Sequence, residues 1–256
     1  MMGILDEYIP DSVDKYLEVF TGGGSVLLYM MQCRKPSVAY ANDIDTSLIR
    51  YYNEVKCNPE NLVSEIMSVK RKYDMDTFAD AFRNIDTNTA SGFFIANKTS
   101  FSGLNSNYSK LAYDHNFTES AINNIRNISG VIKDVEFINS DFANLDSHLP
   151  CLEGFFIYLD PPYYYNMGSG LYGKRGSLHK GFDHDGLSEW VKSHSERNRI
   201  MMSYDNSEYI RDLYNGFNIY DFGFTYCMTN VGGGGCKRGS EIVITNYEKP
   251  SPKPLF

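Results

Sequence analysis

The 256-residue sequence has no apolar run that approaches the roughly 18–20 residues needed to cross a membrane. It also has no cationic segment at its start of the kind that directs secretion. Both absences predict a protein of the cytoplasm without membrane contact. With 42% hydrophobic residues, the chain can bury one α/β core and still carry an inserted subdomain.

Cysteine and histidine are too scattered to indicate a disulfide framework or a metal site. Cysteine occurs five times, an odd number, and never as Cys-x-x-Cys, while the five histidines show no ligand spacing. We therefore expect reduced thiols and no bound metal. The cysteines are Cys33, Cys57, Cys151, Cys227 and Cys236.

Basic residues are in short supply, since 24 lysines and arginines stand against 32 acids and the net charge is −8. A protein that binds nucleic acid needs basic side chains on one face to contact phosphates, so only local clusters could serve that purpose. One cluster, the three consecutive basic residues 70–72, is expected to lie on the exposed face of a helix. Two further clusters adjoin glycines, in segments expected to be loops that either close on phosphates or stay solvated: Lys174 and Arg175 with Lys180, and Lys237 with Arg238.

The most informative motif is Asp160-Pro161-Pro162-Tyr163. It follows Phe155–Leu159, an apolar run that predicts a buried strand with Asp160 at its carboxyl end, the edge where open α/β sheets bind ligands. The Asp160 carboxylate and the Pro161 carbonyl can each accept a hydrogen bond from an amino group, and Tyr163 offers a ring on which a base can stack. The motif predicts chemistry on an exocyclic amine. The alternative is a proline-stiffened turn with a capping aspartate.

A second motif, residues 16–26, predicts a strand, a glycine turn and a helix. Gly22 and Gly24 allow positive φ and a close approach of the backbone to a ligand, and the helix that opens near Ser25 directs its free amides at the turn. Such a turn serves dinucleotides, phosphates and S-adenosylmethionine alike, and it can also be a plain tight turn.

Two acids follow the next expected strand, residues 37–41. Asp43 lies about 20 residues beyond the glycines, where a carboxylate can bind ribose hydroxyls. Asp45 competes for that role, but its position favours capping of a helix over residues 46–56.

These motifs, in this order, make the chain resemble the Dam-type (D12) class of DNA adenine-N6 methyltransferases over most of its length. Residues 20–26 look like the family's Phe-x-Gly-x-Gly-Ser-Val cofactor motif, and residues 42–45 look like its ribose-binding acidic loop. Residues 93–104 are similar to its Leu-Asn-Arg-x-x-Phe-Asn-Gly-Leu stretch in the target-recognition region. Three later segments complete the resemblance: 139–142, like its Gly-Asp-Phe motif, and 201–206 and 239–247, like its two later strands.

The resemblance implies a Rossmann-like, S-adenosylmethionine-dependent methyltransferase sheet with an inserted helical DNA-recognition subdomain, in a bacterial cell or a phage-infected host. It implies methyl transfer by direct displacement to N6 of an adenine flipped out of double-stranded DNA. The catalytic residues would be Asp160, Pro161, Pro162 and Tyr163. Cofactor binding would fall to Glu18, Phe20, Gly22, Gly24, Ser25, Asp43, Asp141 and Phe142.

Candidates for DNA contacts lie in the expected insertion and in the two basic clusters. Asparagine can pair with adenine, and lysine can contact guanine or phosphate, although polar loops of this kind also arise from plain turn chemistry. The candidates are Lys98, Asn105, Asn107, Tyr108, Lys174, Arg175, Lys237 and Arg238.

Two other functions stay open. One is an amino-methyltransferase for RNA or a protein amide, although such relatives usually have asparagine in place of Asp160. The other is a catalytically impaired DNA-binding relative. Family members normally open with a Lys-Trp-x-Gly-Gly-Lys segment that closes over the cofactor, and Met1-Met2-Gly3-Ile4-Leu5 begins where the helix after it should be. If the protein has no such segment, cofactor affinity is the property expected to suffer most.

The order of the motifs and the resemblance imply one catalytic α/β domain in two parts, residues 1–54 and 131–256, interrupted by a helical target-recognition subdomain at residues 55–130. Amphipathic helices are expected at 62–73 and 77–84. Strands are expected at 135–138, 155–159, 199–203, 217–221 and 241–246.

Overall fold

A seven-stranded sheet organises the protein in the computed structural model, which describes residues 2–101, 107–149, 151–164, 181–226 and 237–251. For residues 223–226 and 237–240 it describes the backbone alone. The strands lie in the order β3-β2-β1-β4-β5-β7-β6, with β1 to β5 parallel and β7 antiparallel to both neighbours. This confirms the predicted Rossmann-like α/β class. The strands are β1 (Lys15–Glu18), β2 (Val38–Asn42), β3 (Val135–Ile138), β4 (Phe155–Leu159), β5 (Arg199–Asp205), β6 (Asn218–Tyr226) and β7 (Lys237–Thr245).

The central strand β4 is buried along its whole length, as its continuous apolar sequence predicts. Alternate side chains enter two different cores. Phe156 and Tyr158 join a cluster on one face of the sheet, while Phe155, Ile157 and Leu159 join a cluster on the other. The strands β3 and β4 have the predicted bounds.

The last two strands are longer than predicted. They form a hairpin that pairs from Asn218 with Thr245 to Tyr226 with Lys237. The expectation that Lys237 and Arg238 lie in a glycine loop before the final strand is therefore wrong, because both residues are in β7. Glycine weakens a strand locally, but cross-strand pairing carries the ladder through Gly223 and Gly239.

Most of the helices lie between β2 and β3. Two of them, α4 and α8, pack against each other, and α3 packs against both α6 and α8. Their apolar side chains share the same buried cluster as Tyr16 and Phe156 of the sheet. In chain order the helices are α1 (Met2–Leu5), α2 (Ser25–Tyr29), α3 (Thr46–Cys57), α4 (Pro59–Lys72), α5 (Phe78–Phe82), α6 (Ala90–Thr99), α7 (Lys110–Asn116), α8 (Glu119–Ile132), α9 (His184–His194) and α10 (Glu208–Leu213).

The helical stretch covers one face of the sheet and shares its core. The borders predicted at 54/55 and 130/131 fall inside α3 and α8, and the division into domains stays a prediction. Within the described ranges, no helix is both long enough and apolar enough to cross a bilayer.

Candidate active site

The strand order reverses at β1, which has β2 on one side and β4 on the other. Crevices at such a switch point, beyond the carboxyl ends of the strands, are where open α/β sheets bind ligands. Glu18 is the last residue of β1 and pairs in register with Tyr158 of β4, and Asp160 follows the end of β4. The fold therefore brings Glu18 and Asp160 to the same edge, on adjacent strands.

The turn after β1 depends on glycine at two positions. Gly22 and Gly24 have φ of 47° and 68°, and the Gly24 amide donates to the Thr21 carbonyl at 2.8 Å. A Cβ built on Gly24 would lie 2.5 Å from the hydroxyl of Tyr52, which donates to the Gly22 carbonyl at 2.9 Å. A Cβ on Gly22 or Gly23 would meet no atom within 4 Å. The outer side of the turn is therefore open, and Ser25 is exposed as the first residue of α2.

Asp43 connects the glycine turn to the loop after β2. Its Oδ2 accepts from the Gly22 amide at 2.9 Å, and its Oδ1 accepts from the Asp45 amide at 2.9 Å. Burial raises the pKa of Asp43, and these two amides oppose the rise. Asp45 caps α3 through the amides of Ser47 and Leu48, which confirms its predicted role.

The buried residue Asn42, which opens the motif at residues 42–45 but was not predicted as a site residue, joins three strand ends. Its Nδ2 donates to the carbonyls of Val19 at 3.0 Å and Ser140 at 3.1 Å, and its Oδ1 accepts from the Ser140 amide at 3.0 Å. The loops after β1, β2 and β3 are thereby fixed to one another.

Aromatic rings stand beside these loops. Phe20 lies 6.2 Å from Phe142 and 5.7 Å from Phe182, measured between ring centres, and Phe142 lies 5.6 Å from Phe182. Asp141 caps the 3₁₀ helix that begins at Phe142, because its carboxylate accepts from the Ala143 amide at 2.9 Å. Phe182 belongs to no recognised motif, so its place in this group could not be predicted from local sequence.

Glu18 is buried and accepts a hydrogen bond of 2.5 Å from the hydroxyl of Tyr16. Burial raises the pKa of Glu18 to about 8, the Tyr16 hydrogen bond lowers it, and the charges of Asp160 and Asp43 add to the rise. An acid with these neighbours is poised to change its charge near neutral pH or on the arrival of a cation.

Asp160 is exposed on one side, but protein packed around its carboxyl still displaces enough water to raise its pKa to about 7. The charge of Glu241 raises this pKa further, whereas hydrogen bonds from Ser203 and Tyr163 lower it. Ser203 Oγ donates to Asp160 Oδ1 at 3.2 Å, and the hydroxyl of Tyr158 lies 2.5 Å from Ser203 Oγ.

The segment after Asp160 is held by β5. Pro161 is buried, and the amide of Tyr164 donates to Asp205 Oδ1 at 2.6 Å. Tyr163 is half-buried, with its ring 6.2 Å from that of Tyr204. Tyr164 packs on Tyr209 at 4.5 Å and on His184 at 5.5 Å.

The candidates for DNA contacts have different surroundings. Lys98, on α6, has its Nζ 5.8 Å from the centre of the Phe94 ring, and Asn107 is exposed. The hydroxyl of Tyr108 is occupied, because it donates to the Met75 carbonyl at 2.5 Å. Contact with DNA stays a prediction for all eight. Asn105, Lys174 and Arg175 lie outside the described residues, and of Lys237 and Arg238 only the backbone is described.

Within the described part of the chain, no group of three or more histidine, cysteine, aspartate or glutamate side chains is placed to hold a metal ion. Cys33, Cys57 and Cys151 are free and exposed there.

A sheet of this order, with acids at the ends of two central strands and an open glycine turn beside them, is that of a Rossmann-like α/β protein with a candidate site at the switch point. The model of the D12 class N6 adenine-specific DNA methyltransferase family matches residues 1–228. The chain belongs to this family and is a DNA methyltransferase of the N6-adenine class.

Named relatives agree with the family. The type II methyltransferase M.MjaIII of Methanocaldococcus jannaschii is 27% identical over 264 aligned residues, 92% of this chain and 89% of that protein. The type II methyltransferase M1.LlaDCHI of Lactococcus lactis subsp. cremoris is 24% identical over 263, covering 93% and 88%. Among solved structures, the rRNA methyltransferase aviRa from Streptomyces viridochromogenes matches with a TM-score of 0.46 and 12% identity, over 95% of this chain and 80% of that chain.

Proposed function

We propose that the protein transfers the methyl group of S-adenosylmethionine to N6 of an adenine flipped out of double-stranded DNA. The position of Asp160 carries the proposal. Its carboxyl stands at the end of β4, beside the strand that leads into the open glycine turn, and Pro161 fixes a backbone carbonyl next to it. An amino group at this edge would meet two acceptors.

The open turn supports a cofactor role for the residues around it. A side chain on Gly22 or Gly23 would enter space that is clear of protein atoms, so the glycines keep room beside the backbone. Glu18 supplies a buried acid, and Phe20 and Phe142 supply an apolar wall. S-adenosylmethionine, when bound, supplies an electrophilic methyl group on a sulfonium. The residues that would hold it are Glu18, Phe20, Gly22, Gly24, Ser25, Asp43, Asp141 and Phe142.

Asp43 already accepts an amide hydrogen on each carboxylate oxygen. Each oxygen has a second lone pair, so contact with ribose hydroxyls remains compatible with these bonds. In the proposed function Asp43 has two tasks, because it also holds Gly22 in place for the cofactor.

The catalytic task falls to Asp160, Pro161, Pro162 and Tyr163. The lone pair of an adenine amine is delocalised into the ring, and hydrogen bonds that Asp160 and the Pro161 carbonyl accept from the amine draw its hydrogens out of the ring plane. The nitrogen then becomes nucleophilic, and alignment supplies most of the remaining rate. Pro162 stiffens the segment, and Tyr163 offers a ring for stacking.

We also propose that residues 55–130 form the target-recognition part between the two parts of the catalytic domain, 1–54 and 131–256. The described residues of this stretch include two strongly exposed apolar side chains, Phe101 just after α6 at 68% and Leu111 of α7 at 69%, close in sequence to Lys98 and Asn107. Exposed apolar groups beside polar ones are typical of a binding surface. The remaining proposed DNA contacts are Asn105, Tyr108, Lys174, Arg175, Lys237 and Arg238.

The product identifies the reaction. The purified protein is incubated with unmethylated double-stranded DNA and methyl-labelled S-adenosylmethionine, and the DNA is digested to nucleosides. We expect the label in N6-methyldeoxyadenosine. Label in a cytosine product, or in no nucleoside, would overturn the proposal.

A further inference from the structure

We propose that Ser203 is a positioning residue of the methyl-transfer site, which orients the Asp160 carboxylate through a hydrogen-bond chain that begins at the buried hydroxyl of Tyr158. The inference rests on the proposed function, since it concerns how Asp160 is presented to the amine. Ser203 belongs to β5, within the segment 201–206 that resembles a later strand of the family, but it is not among the predicted site residues.

The register of the sheet brings the three residues together. Leu159 pairs with Met202, so the next position along the two parallel strands sets Ser203 beside Asp160. Ser203 and Tyr158 are each 1% exposed, and the 2.5 Å and 3.2 Å bonds described above connect them to Asp160. The chain therefore runs from the sheet interior to the exposed carboxyl.

The direction of the chain follows from counting protons. A serine hydroxyl has one proton, and Ser203 donates it to Asp160. The Tyr158 hydroxyl must then donate to Ser203. Both donors point toward the carboxylate, which stabilises its ionised form and fixes the direction of Oδ1. Because the carboxyl group is planar, holding Oδ1 also restricts where Oδ2 can lie, and in the proposal Oδ2 is the oxygen that faces the substrate amine.

The hydrogen bond from Ser203 counteracts surroundings that disfavour the ionised form of Asp160. Glu241 on β7 raises the pKa of Asp160 by its charge, and Asp160 interacts in the same sense with Glu18 on β1. Protein around the carboxyl raises the pKa further, while Ser203 and Tyr163 lower it. Removing the Ser203 hydroxyl should therefore raise the pKa of Asp160 and reduce the ionised fraction near neutral pH.

The first test compares Ser203→Ala with Ser188→Ala. Ser188 is also 1% exposed, but its hydroxyl donates to the Leu213 carbonyl, on another element. We expect Ser203→Ala to lower kcat about tenfold and to move the acid limb of the kcat–pH profile upward by about half to one pH unit, because one charge-assisted hydrogen bond is lost. The Kd for S-adenosylmethionine should stay within about twofold of the wild-type value, and Ser188→Ala should keep the wild-type profile.

Tyr158→Phe provides a second variant that removes one hydroxyl and keeps the ring. It should move the acid limb of the kcat–pH profile in the same direction, by less than Ser203→Ala does. If Ser203→Ala does not fold, Tyr158→Phe alone tests the inference. An unmoved acid limb in whichever variant folds would overturn the inference, as would an equal loss in Ser188→Ala. A wild-type protein that methylates no adenine would instead remove the proposed function itself.

Discussion

Two neighbouring strands of the sheet end in the same pattern of side chains: a buried tyrosine, a leucine and an acid. On β1 the hydroxyl of Tyr16 donates directly to Glu18, two residues further along the same strand. On β4 the hydroxyl of Tyr158 forms its hydrogen bond with Ser203 of β5 rather than with Asp160. Ser203 in turn donates to Asp160. Glu18 is therefore buried and receives its hydrogen bond from its own strand. Asp160 receives its hydrogen bond from the neighbouring strand and is exposed on one side.

The turns that follow the two acids differ in the opposite way. After β1 the chain turns through glycines, two of them at positive φ, and leaves open space beside the backbone. After β4 two prolines fix the backbone and remove its amide donors, so that carbonyl oxygen is what the segment presents. One end of the crevice suits a ligand that must approach the backbone closely, and the other suits a group that donates hydrogen bonds.

In the proposed function the cofactor binds at the β1 end and the amine at the β4 end, so substitutions at the two ends should separate binding from chemistry. The largest effect is expected at Asp160. Asp160→Ala should lower kcat by about 10²–10³-fold, because the amine loses its charged acceptor. Methyl incorporation into DNA measures the change. Asp134→Ala, which removes an exposed acid just before β3 begins, is the control and should keep wild-type activity. An active Asp160→Ala enzyme would refute the assignment of the β4 end.

The next effect concerns the glycine turn. Gly24→Ala would set a Cβ 2.5 Å from the Tyr52 hydroxyl at a φ of 68°, so we expect a loss of about 2 kcal/mol in the free energy of unfolding and weaker cofactor binding. Gly23→Ala is the matched control, since its φ is not positive and its Cβ meets nothing within 4 Å. Urea unfolding of both variants tests the difference. If both variants lost the same free energy of unfolding, the turn would not depend on the positive φ and the close packing at Gly24.

Glu18 should make stability depend on pH. Its folded-state pKa of about 8 lies above its ordinary value of 4.5, so between these pH values the unfolded chain releases a proton that the folded protein retains. The free energy of unfolding then falls as pH rises across this window. Glu18→Gln has no such proton. Its stability relative to the wild type should rise from pH 5 to pH 8 by on the order of 2 kcal/mol, measured by urea unfolding. Glu153→Gln, at an exposed position, should show no such trend. If the stability of Glu18→Gln relative to the wild type also stayed constant with pH, the argument from burial would be contradicted.

The smallest effect is expected when a single hydroxyl is removed at the β1 end. Tyr16→Phe leaves Glu18 without its 2.5 Å donor and should weaken S-adenosylmethionine binding about threefold to tenfold, with kcat nearly unchanged. Tyr158→Phe should do the reverse, lowering kcat and sparing binding. Calorimetric Kd values for S-adenosylmethionine and steady-state kcat values are measured for both variants. If both variants lose only affinity, or both lose only kcat, the two strand ends do not have different tasks.

The elements that local sequence could predict were those whose pattern is continuous. The β3 and β4 strands were predicted at their observed bounds, and the Asp45 cap was found from its place before an amphipathic helix. The hairpin of β6 and β7 was underestimated because its length depends on pairing between distant segments rather than on local propensity.

The same limit applies to the site. The Asp160 segment and the glycine turn stand out as motifs, and the repeated Tyr-Leu-acid pattern is visible in the sequence. The partnership of Asp160 with Ser203 depends on β4 lying beside β5, which joins residues 43 positions apart. Asp205 lies in the segment 201–206 that resembles a later strand of the family, but its hydrogen bond from the Tyr164 amide depends on the fold in the same way.

The most direct test of the division between the two strand ends is calorimetric titration of S-adenosylmethionine into the wild type, Glu18→Gln and Asp160→Ala side by side. We predict that Asp160→Ala binds within about threefold of the wild type, whereas Glu18→Gln binds at least about 30-fold more weakly, because glutamine cannot take on the negative charge that Glu18 gains when a cationic ligand arrives. Equal losses in both variants, or a loss confined to Asp160→Ala, would contradict the account.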